Sequence, residues 1–237
     1  MAETTADPEV EIPDWLSDPL STAIALRDRE TIAMVRRAVE TQNVTLAFQP
    51  VVHAGRPDRI AFQEGLLRVL DSSGRVIPAA EFIPAVERTE LGRQLDCRAL
   101  EMGLAMLARE PGLRLSVNMS ARSIGYPPWL DTLRAGLSGD PTVGERLILE
   151  ITESSAMVMP DTVQVFMADL QAQGIAFALD DFGAGYTAFR YLRDFYFDIV
   201  KIDGQFIRNV HADPDNQVLT EALISIARHF EMFSVAE

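Results

Sequence analysis

The 237-residue sequence predicts an α/β fold, specifically a TIM-like (β/α)8 barrel that is truncated before its eighth strand. Strand patterns alternate with helix patterns over short links, which favours parallel strands joined by right-handed crossovers. Seven strand patterns are present, one fewer than a closed barrel needs. An open doubly wound sheet is the alternative, although the Gly-rich phosphate loop that usually begins one is absent.

The first half of the chain is predicted to hold helices around two strands. Ile24, Ile32 and Val35 recur at helical spacing, and residues 45–51 alternate between apolar and polar side chains. A turn at 71–74 follows the second strand. The predicted elements are a helix at 22–42, strands at 45–51 and 59–67, and helices at 79–88 and 91–109.

The second half is predicted to repeat a strand–helix unit. Two prolines open one helix, where the first turn tolerates them, and Gly174 closes another. Asp213 and Pro214 suit the cap and first position of the last helix. The predicted strands are 113–117, 146–151, 175–179, 198–202 and 233–236, and the predicted helices are 127–137, 160–173, 187–194 and 213–230.

Composition fits one large domain that follows a short arm. Residues 1–20 are acidic and proline-containing, and they lack the basic start and apolar core of a secretory signal. We therefore expect an N-terminal arm at 1–20 and the barrel domain at 21–237. The lone cysteine, Cys97, excludes an intrachain disulfide and fits a cytoplasmic protein. No apolar stretch approaches the ~20 residues of a membrane span.

The net charge of −14 argues against DNA as a partner, because binding to nucleic-acid backbones needs a basic face. The charge does not exclude a small phosphate ligand, since bound metal ions reverse the local sign of an acidic pocket. Most of the 35 acidic residues are expected on solvated helix faces.

Ligand-type side chains stand at six predicted strand ends. In a parallel barrel these ends meet at one rim, where catalytic groups gather. Carboxylate and amide oxygens suit Mg²⁺ or Mn²⁺ and suit zinc poorly. Two such ions ~3.5–4 Å apart would relieve repulsion between adjacent acids and clamp the oxygens of a phosphoryl displacement. The residues are Glu64, Asn118, Glu150, Asp180 with Asp181, Lys201 and Glu237.

Each position has a plainer interpretation when it is taken alone. Glu153 and Asp181 would serve as helix caps, and Arg68 would equally form an exposed salt bridge or meet a phosphate. Caps do not explain Glu64 or Glu150 inside apolar strands, where an unpaired charge is costly. A magnesium enzyme that abstracts a proton beside a carboxylate, with Lys201 as its base, is a further alternative. The three histidines are expected at the surface or in packing.

Eight segments together resemble the EAL domain family, the cyclic di-GMP phosphodiesterases of bacterial signalling. The resemblance runs from Leu46 to Glu237, and no single segment is specific alone. The segments are Phe48-Gln49-Pro50, Glu64-Gly65-Leu66-Leu67-Arg68, Phe82-Ile83-Pro84, Ser116-Val117-Asn118-Met119-Ser120, Glu150-Ile151-Thr152-Glu153, Asp180-Asp181-Phe182-Gly183-Ala184-Gly185-Tyr186, Lys201-Ile202-Asp203 and Val235-Ala236-Glu237.

This resemblance implies a near-TIM barrel with one antiparallel strand and metal-dependent hydrolysis of cyclic di-GMP to linear pGpG. It implies two Mg²⁺ or Mn²⁺ ions. The implied ligands are Glu64, Asn118, Glu150 and Asp180 for the first ion, with Asp180 bridging, and Asp181 and Glu237 for the second. The implied catalytic and substrate residues are Lys201 for the attacking water, Glu237 beside it, Glu153 for the 181–186 loop, and Arg68 and Gln49 for substrate.

The resemblance also implies a homodimer that pairs near the 181–186 loop. The arm at 1–20 is either a linker from an upstream sensory domain or a simple tail. Gly65 stands where the family has alanine, and we expect little effect on metal ligation. The family's eighth strand, last helix and Gln-Gly-Tyr-like segment have no counterpart, which would leave two unpaired sheet edges. A cyclic di-GMP receptor without turnover and an inactive truncated fragment are therefore alternatives.

Overall fold

A computed structural model describes residues 18–140, 142–185, 192–193 and 195–237 of the protein. This part of the chain is an α/β fold built on one curled, mostly parallel sheet with helices packed against it, a TIM-like half-barrel. The predicted fold class is thereby confirmed. None of the helices in the described ranges is both long enough and apolar enough to cross a bilayer.

Eight strands and nine α-helices are present in the described residues. The strands are β1 (Val44–His53), β2 (Arg56–Leu70), β3 (Val76–Pro78), β4 (Leu115–Asn118), β5 (Leu147–Thr152), β6 (Ala176–Phe182), β7 (Ile199–Ile202) and β8 (Phe233–Ala236). The helices are α1 (Pro19–Glu40), α2 (Ala79–Val86), α3 (Glu90–Arg109), α4 (Pro127–Ser138), α5 (Thr142–Arg146), α6 (Glu153–Ala156), α7 (Pro160–Gln171), α8 (Gly204–Ile207) and α9 (Pro214–His229).

The main order of the sheet is β1-β2-β4-β5-β6-β7-β8, and β3 pairs with β2 outside this order. β1 and β3 run antiparallel to β2, whereas every later neighbour pair is parallel. The resemblance implied one antiparallel strand, and in the main order of the sheet that strand is β1. Within the described residues β1 and β8 are the two ends of the sheet, so the curl is open between them.

Two layers of side chains fill the inner face of the curl. Alternate residues of a strand share one face, so residues two positions apart on these strands both point into the curl. The lower layer is apolar and consists of Phe62, Ile148, Ala178 and Ile199. Two residues further along the same four strands stand Glu64, Glu150, Asp180 and Lys201. The apolar layer thus supports a charged layer at the carboxyl ends of the strands.

Most predicted elements appear with shifted ends. The second strand extends to Arg56–Leu70 because it pairs with β1 from Arg56 to Val69 and with β3 from Arg68 to Leu70. Strand β3 was not predicted, because three residues show no usable period. The short helices α5, α6 and α8 were missed for the same reason. β1 continues past Pro50, which an edge strand tolerates because its outer side donates no ladder bond.

Two predictions concern residues that the structure does not fully describe. Helix α1 begins at Pro19, inside the predicted arm, and Asp18 caps it by accepting a hydrogen bond from the Leu20 N–H at 3.3 Å. Residues 1–17 of the arm lie outside the described ranges. The predicted helix at 187–194 also falls largely outside them.

Helix α3 packs directly on strand β4 through a glycine. A Cβ atom placed on Gly103 would lie 2.8 Å from Cγ2 of Val117 and 3.4 Å from Cδ2 of Leu115. Real carbon atoms do not approach so closely, so a larger residue would push the helix away from the sheet. The absence of a side chain therefore sets the spacing between α3 and the strand that ends at Asn118.

We expect Gly103→Ala to lower the free energy of unfolding by about 1 kcal/mol, because the overpacking cost exceeds the gain in helix propensity. Urea denaturation measures this change. Gly139→Ala is the matched control, since nothing lies within 4 Å of its Cβ position and its φ of −87° is ordinary. Equal stability of the two variants would contradict the close packing of α3 on β4.

Candidate metal centre

A buried ammonium lies among four carboxylates at the carboxyl ends of the inner strands. Lys201 on β7 is only 1% exposed. Its Nζ atom lies 3.2 Å from Oε1 of Glu64, 2.9 Å from Oε2 of Glu150, 3.0 Å from Oδ1 of Asp180 and 2.7 Å from Oε1 of Glu237. The structure therefore brings five of the predicted site residues together. Their formal charges sum to an excess of negative charge.

The electrostatics of this cluster keep Lys201 charged. Burial by itself lowers the pKa of Lys201, because the ammonium loses its hydration. The carboxylates of Glu150, Asp180 and Glu64 act in the opposite direction and hold the pKa well above its usual range. The ammonium is therefore a fixed positive charge inside an acidic ring.

One ammonium does not compensate all four acids. Burial raises the pKa of Glu150 to about 7, against the attraction of Lys201, and repulsion from Glu64 and Asp180 contributes. Burial and repulsion from Asp180 likewise raise the pKa of Glu237 to about 7. Both shifts mean that these two carboxyl groups bind a proton more readily than exposed carboxyl groups do, because the ring carries excess negative charge.

Asp181 extends the acidic ring toward solvent. Oxygen atoms of Asp180, Asp181 and Glu237 all lie within 4.8 Å of one another, close enough to share one cation. The backbone of Asp181 has a φ of 56°, in the left-handed region where aspartate is one of the few tolerated residues. This turn lets two consecutive acids lie near the same point, although side chains alternate along a regular strand.

The donor set fits a hard divalent cation. Oε1 of Glu150 and Oδ1 of Asp180 are buried, and neither accepts a hydrogen bond within the described part of the chain. The ion pair of Asp180 with Lys201 lacks hydrogen-bond geometry, so that oxygen keeps a free acceptor direction. Asn118 donates from Nδ2 to Oε1 of Glu64 at 3.5 Å, which leaves its amide oxygen as a ligand atom. Carboxylate and amide oxygens are what Mg²⁺ and Mn²⁺ prefer.

Glu153 holds the loop that follows β6. Its Oε2 atom accepts a hydrogen bond from the N–H of Gly183 at 3.2 Å. On the other side, a Cβ atom at Gly183 would lie 2.7 Å from Cε2 of Phe206, and the φ of this glycine is 95°. The loop is thus held between α6 and α8. Tyr186, the predicted end of this loop, lies outside the described residues.

The two predicted substrate residues lie on β1 and β2. Gln49 pairs with Glu64, and directly opposed residues of an antiparallel pair share one face, so it adjoins the cluster. Arg68 lies on the same face of β2 as Glu64 but four residues further, roughly 13 Å along the strand. Its Nη1 atom donates to the carbonyl of Leu67 at 2.9 Å. The structure therefore places Gln49 beside the acids and Arg68 at a distance from them.

Sequence reasoning missed several contacts around the site. Phe206 was not singled out, because nothing local indicates that its ring would meet Gly183. Asp96 on α3 was likewise taken only as part of a helix, although its carboxylate reaches the loop after Asn118. The three histidines, His53, His211 and His229, are all exposed, as the sequence analysis expected.

Comparison with known proteins gives consistent matches. A family model described as the EAL domain matches residues 32–237. Cyclic di-GMP phosphodiesterase PdeB of Shewanella oneidensis is 28% identical over 207 residues, which cover 86% of this chain and 24% of that protein. The bifunctional diguanylate cyclase/cyclic di-GMP phosphodiesterase MucR of Pseudomonas aeruginosa is 31% identical over 208 residues, covering 86% and 30%.

Solved structures agree with the sequence matches. The EAL domain of FimX from Pseudomonas aeruginosa, bound to c-di-GMP, has a TM-score of 0.75 and 26% sequence identity. That match covers 87% of this chain and 84% of the other. The chain spans less than a third of the length of either curated relative named above.

We expect Lys201→Met to lower the free energy of unfolding by about 3 kcal/mol, because it leaves the buried acids without their cation. Millimolar Mg²⁺ should recover part of this loss and raise the melting temperature more for the variant than for the parent protein. Thermal denaturation with and without Mg²⁺ measures both effects.

Arg146→Met provides the matched control for this experiment. The Arg146 guanidinium is also largely buried, but it donates to the carbonyls of Leu107, Glu110 and Leu113. Its loss should destabilise the protein without any special recovery in Mg²⁺. A similar response of the two variants to Mg²⁺ would show that the ion does not act at the acidic ring.

Proposed function

The chain belongs to the EAL domain family, and from that premise we propose that it hydrolyses cyclic di-GMP to linear pGpG in a reaction that depends on divalent metal ions. One observation carries the proposal: four of the five acids implied as ligands by the resemblance meet around Lys201 at a single point of the fold, and the fifth, Asp181, lies next to two of them. The names of the curated relatives and the c-di-GMP-bound FimX domain support the choice of substrate.

Two Mg²⁺ or Mn²⁺ ions are the cofactors in this proposal. Glu64, Asn118, Glu150 and Asp180 would hold the first, and Asp180, Asp181 and Glu237 would hold the second. When bound, such a pair would activate water and stabilise negative charge on the phosphoryl oxygens. Oε1 of Glu150 and Oδ1 of Asp180 support this assignment, because both are buried and neither accepts a hydrogen bond in the described residues, although Oδ1 forms an ion pair with Lys201.

The chain's own residues would orient the attacking water and the substrate. The fixed positive charge of Lys201 would hold that water and oppose charge that develops on the phosphate. Glu237 would accept from the same water at the mouth of the ring. Gln49 on β1, opposite Glu64, and Arg68 further along β2 would bind the dinucleotide. Glu153 would keep the loop after β6 in place.

The negative net charge of the pocket makes substrate binding depend on the divalent cations. Four acids and one ammonium leave a net negative rim, which repels the two phosphates of cyclic di-GMP. Bound divalent ions reverse this local sign. Substrate should therefore bind poorly to the metal-free protein, and Ca²⁺ should support binding without the positioning that turnover requires.

The second candidate function is a cyclic di-GMP receptor that binds without turnover. The bound FimX domain motivates it, because a neighbour of the same fold holds the dinucleotide. Retention of every implied ligand in this chain favours the enzyme, since a receptor does not need two metal ions. Saturable binding in Mg²⁺ without formation of pGpG would favour the receptor instead.

Location and assembly are further parts of the proposal. We place the domain in the cytoplasm, as the lone cysteine led us to expect, and we propose a homodimer that pairs near the loop after β6. An upstream sensory domain or partner would act through the 1–20 arm. Size measurement at several concentrations tests the homodimer, and it should report twice the mass of 26.2 kDa.

We expect Glu150→Gln and Asp180→Asn each to lower kcat for cyclic di-GMP by at least about 100-fold, because each removes a charged ligand oxygen while keeping the side-chain shape. Chromatography of pGpG formed in Mg²⁺ measures the rate. Glu221→Gln, an exposed acid on α9, is the control and should retain full activity. Survival of turnover in both ligand variants would refute the two-metal assignment.

A separate prediction concerns the loop after β6. Glu153→Ala should lower activity by roughly 10-fold, because the N–H of Gly183 loses its acceptor, whereas Glu153→Gln keeps a carbonyl oxygen there and should retain most of it. Steady-state kinetics at saturating Mn²⁺ compare the two. Equal losses in both variants would mean that the charge of Glu153, rather than its hydrogen bond, is what matters.

A further inference from the structure

Asp96 is an acid in the outer helical layer that reaches the loop following the candidate metal ligand Asn118. It lies on α3, away from the acidic ring. Its Oδ2 atom accepts two hydrogen bonds, from the N–H of Ser120 at 3.0 Å and from Oγ of Ser123 at 2.6 Å. Both donors lie in the segment between β4 and α4, so a single carboxylate oxygen ties that segment to α3.

Burial of the Asp96 carboxylate carries a desolvation cost. Burial raises the pKa of Asp96 to about 7, although both hydrogen bonds act to lower it. Within the described ranges no salt bridge to Asp96 is found. A neutral side chain would join α3 to the loop without this desolvation cost. The acid is therefore suited to a place where a strong, fixed acceptor is needed.

The segment after Asn118 is fixed at successive backbone groups. The N–H of Met119 donates to the carbonyl of Glu150 at 2.9 Å. The N–H of Ala121 donates to Oγ of Ser155 at 2.9 Å. The N–H of Ser120, which lies between these two, donates to Asp96. Three consecutive N–H groups are therefore hydrogen-bonded to three different elements, β5, α3 and α6. Little freedom remains for the residue that precedes them.

The same set of contacts continues around the rim. The N–H of Ser155 donates to Oγ1 of Thr152, and Glu153 in the same short helix accepts from Gly183. The segments after β4, β5 and β6 are thus joined side to side. These are the segments that follow Asn118, Glu150 and the two consecutive aspartates. Asp96 joins this series of contacts to helix α3.

We propose that Asp96 is a positioning residue of the metal centre: by binding Ser120 and Ser123 it fixes the chain after β4 and so orients Asn118 toward the cation. This inference rests on the proposed function, because it takes Asn118 as a metal ligand. Asn118 offers the one neutral oxygen of the implied set, so its contribution depends on orientation more than on charge. Residues that orient a metal ligand affect metal affinity about 10- to 100-fold when they are lost.

The test measures Mn²⁺ binding to the whole chain by electron paramagnetic resonance, without substrate. Asp96→Ala should weaken Mn²⁺ binding at least about 10-fold. Asp96→Asn keeps an acceptor oxygen toward the loop and should recover most of the affinity. In activity assays the loss in Asp96→Ala should appear as a higher Mn²⁺ requirement, with KM for cyclic di-GMP unchanged at saturating metal.

Glu101→Ala is the matched control, an exposed acid on the same helix that forms an ion pair with Arg98. It should bind Mn²⁺ like the parent protein. Should Asp96→Ala fail to fold, Ser123→Ala removes one of the two hydrogen bonds and should weaken Mn²⁺ binding by roughly 2- to 10-fold.

Folded Asp96→Ala that binds Mn²⁺ with parental affinity, even at a lowered melting temperature, would overturn the proposal and leave Asp96 as a packing residue. If Asp96→Ala misfolds, parental Mn²⁺ affinity in Ser123→Ala would likewise overturn the proposal. The Asn118→Ala variant distinguishes this outcome from a wrong assignment of Asn118 as a metal ligand. If Asn118→Ala also binds Mn²⁺ normally, Asn118 is not a ligand and the proposed metal assignment is at fault.

Discussion

The buried ion cluster around Lys201 is the constraint on which the rest of the structure depends. An ammonium removed from water must meet negative partners at short range, and here four carboxylates lie within 3.2 Å of it. The acids outnumber the ammonium, so the ring remains favourable for further cations. Such a cluster is tolerable only if the five strand ends that carry these side chains converge. The geometry of the sheet is therefore inseparable from the chemistry of its rim.

The curl of the sheet meets this requirement, although the strands are staggered, with Glu150 paired in register with Ala178 rather than with Asp180. The apolar layer of Phe62, Ile148, Ala178 and Ile199 lies two residues below the charged layer on the same strands, so one packing arrangement positions both. Helix α3, which also carries Asp96, packs closely on β4 through Gly103. Packing on the outside of the sheet is thereby coupled to ligand orientation on the inside.

The loops above the rim are held by hydrogen bonds as well as by apolar contacts such as those of Met119 and Ala121, which lie in the core. The Asp96, Ser155 and Glu153 side chains each accept from a backbone N–H of a neighbouring segment. Irregular segments leave backbone polar groups without regular partners, and contacts of this kind satisfy them near the charged pocket. The proposed metal site would need that order, because ligand oxygens must be held close to their productive positions to bind the metal.

The amino-acid sequence by itself determined the α/β class, the seven strands of the main sheet order and the acids at their ends, because alternation and strand-end polarity are local patterns. It also indicated that Glu64 and Glu150 needed partners, since an unpaired charge inside an apolar strand is costly. Only the tertiary structure decided that Lys201 is the common partner, that Glu153 reaches Gly183, and that Asp96 reaches the loop after Asn118. These contacts join residues 24 to 137 positions apart, and strand register and helix packing, which no local pattern encodes, bring them together.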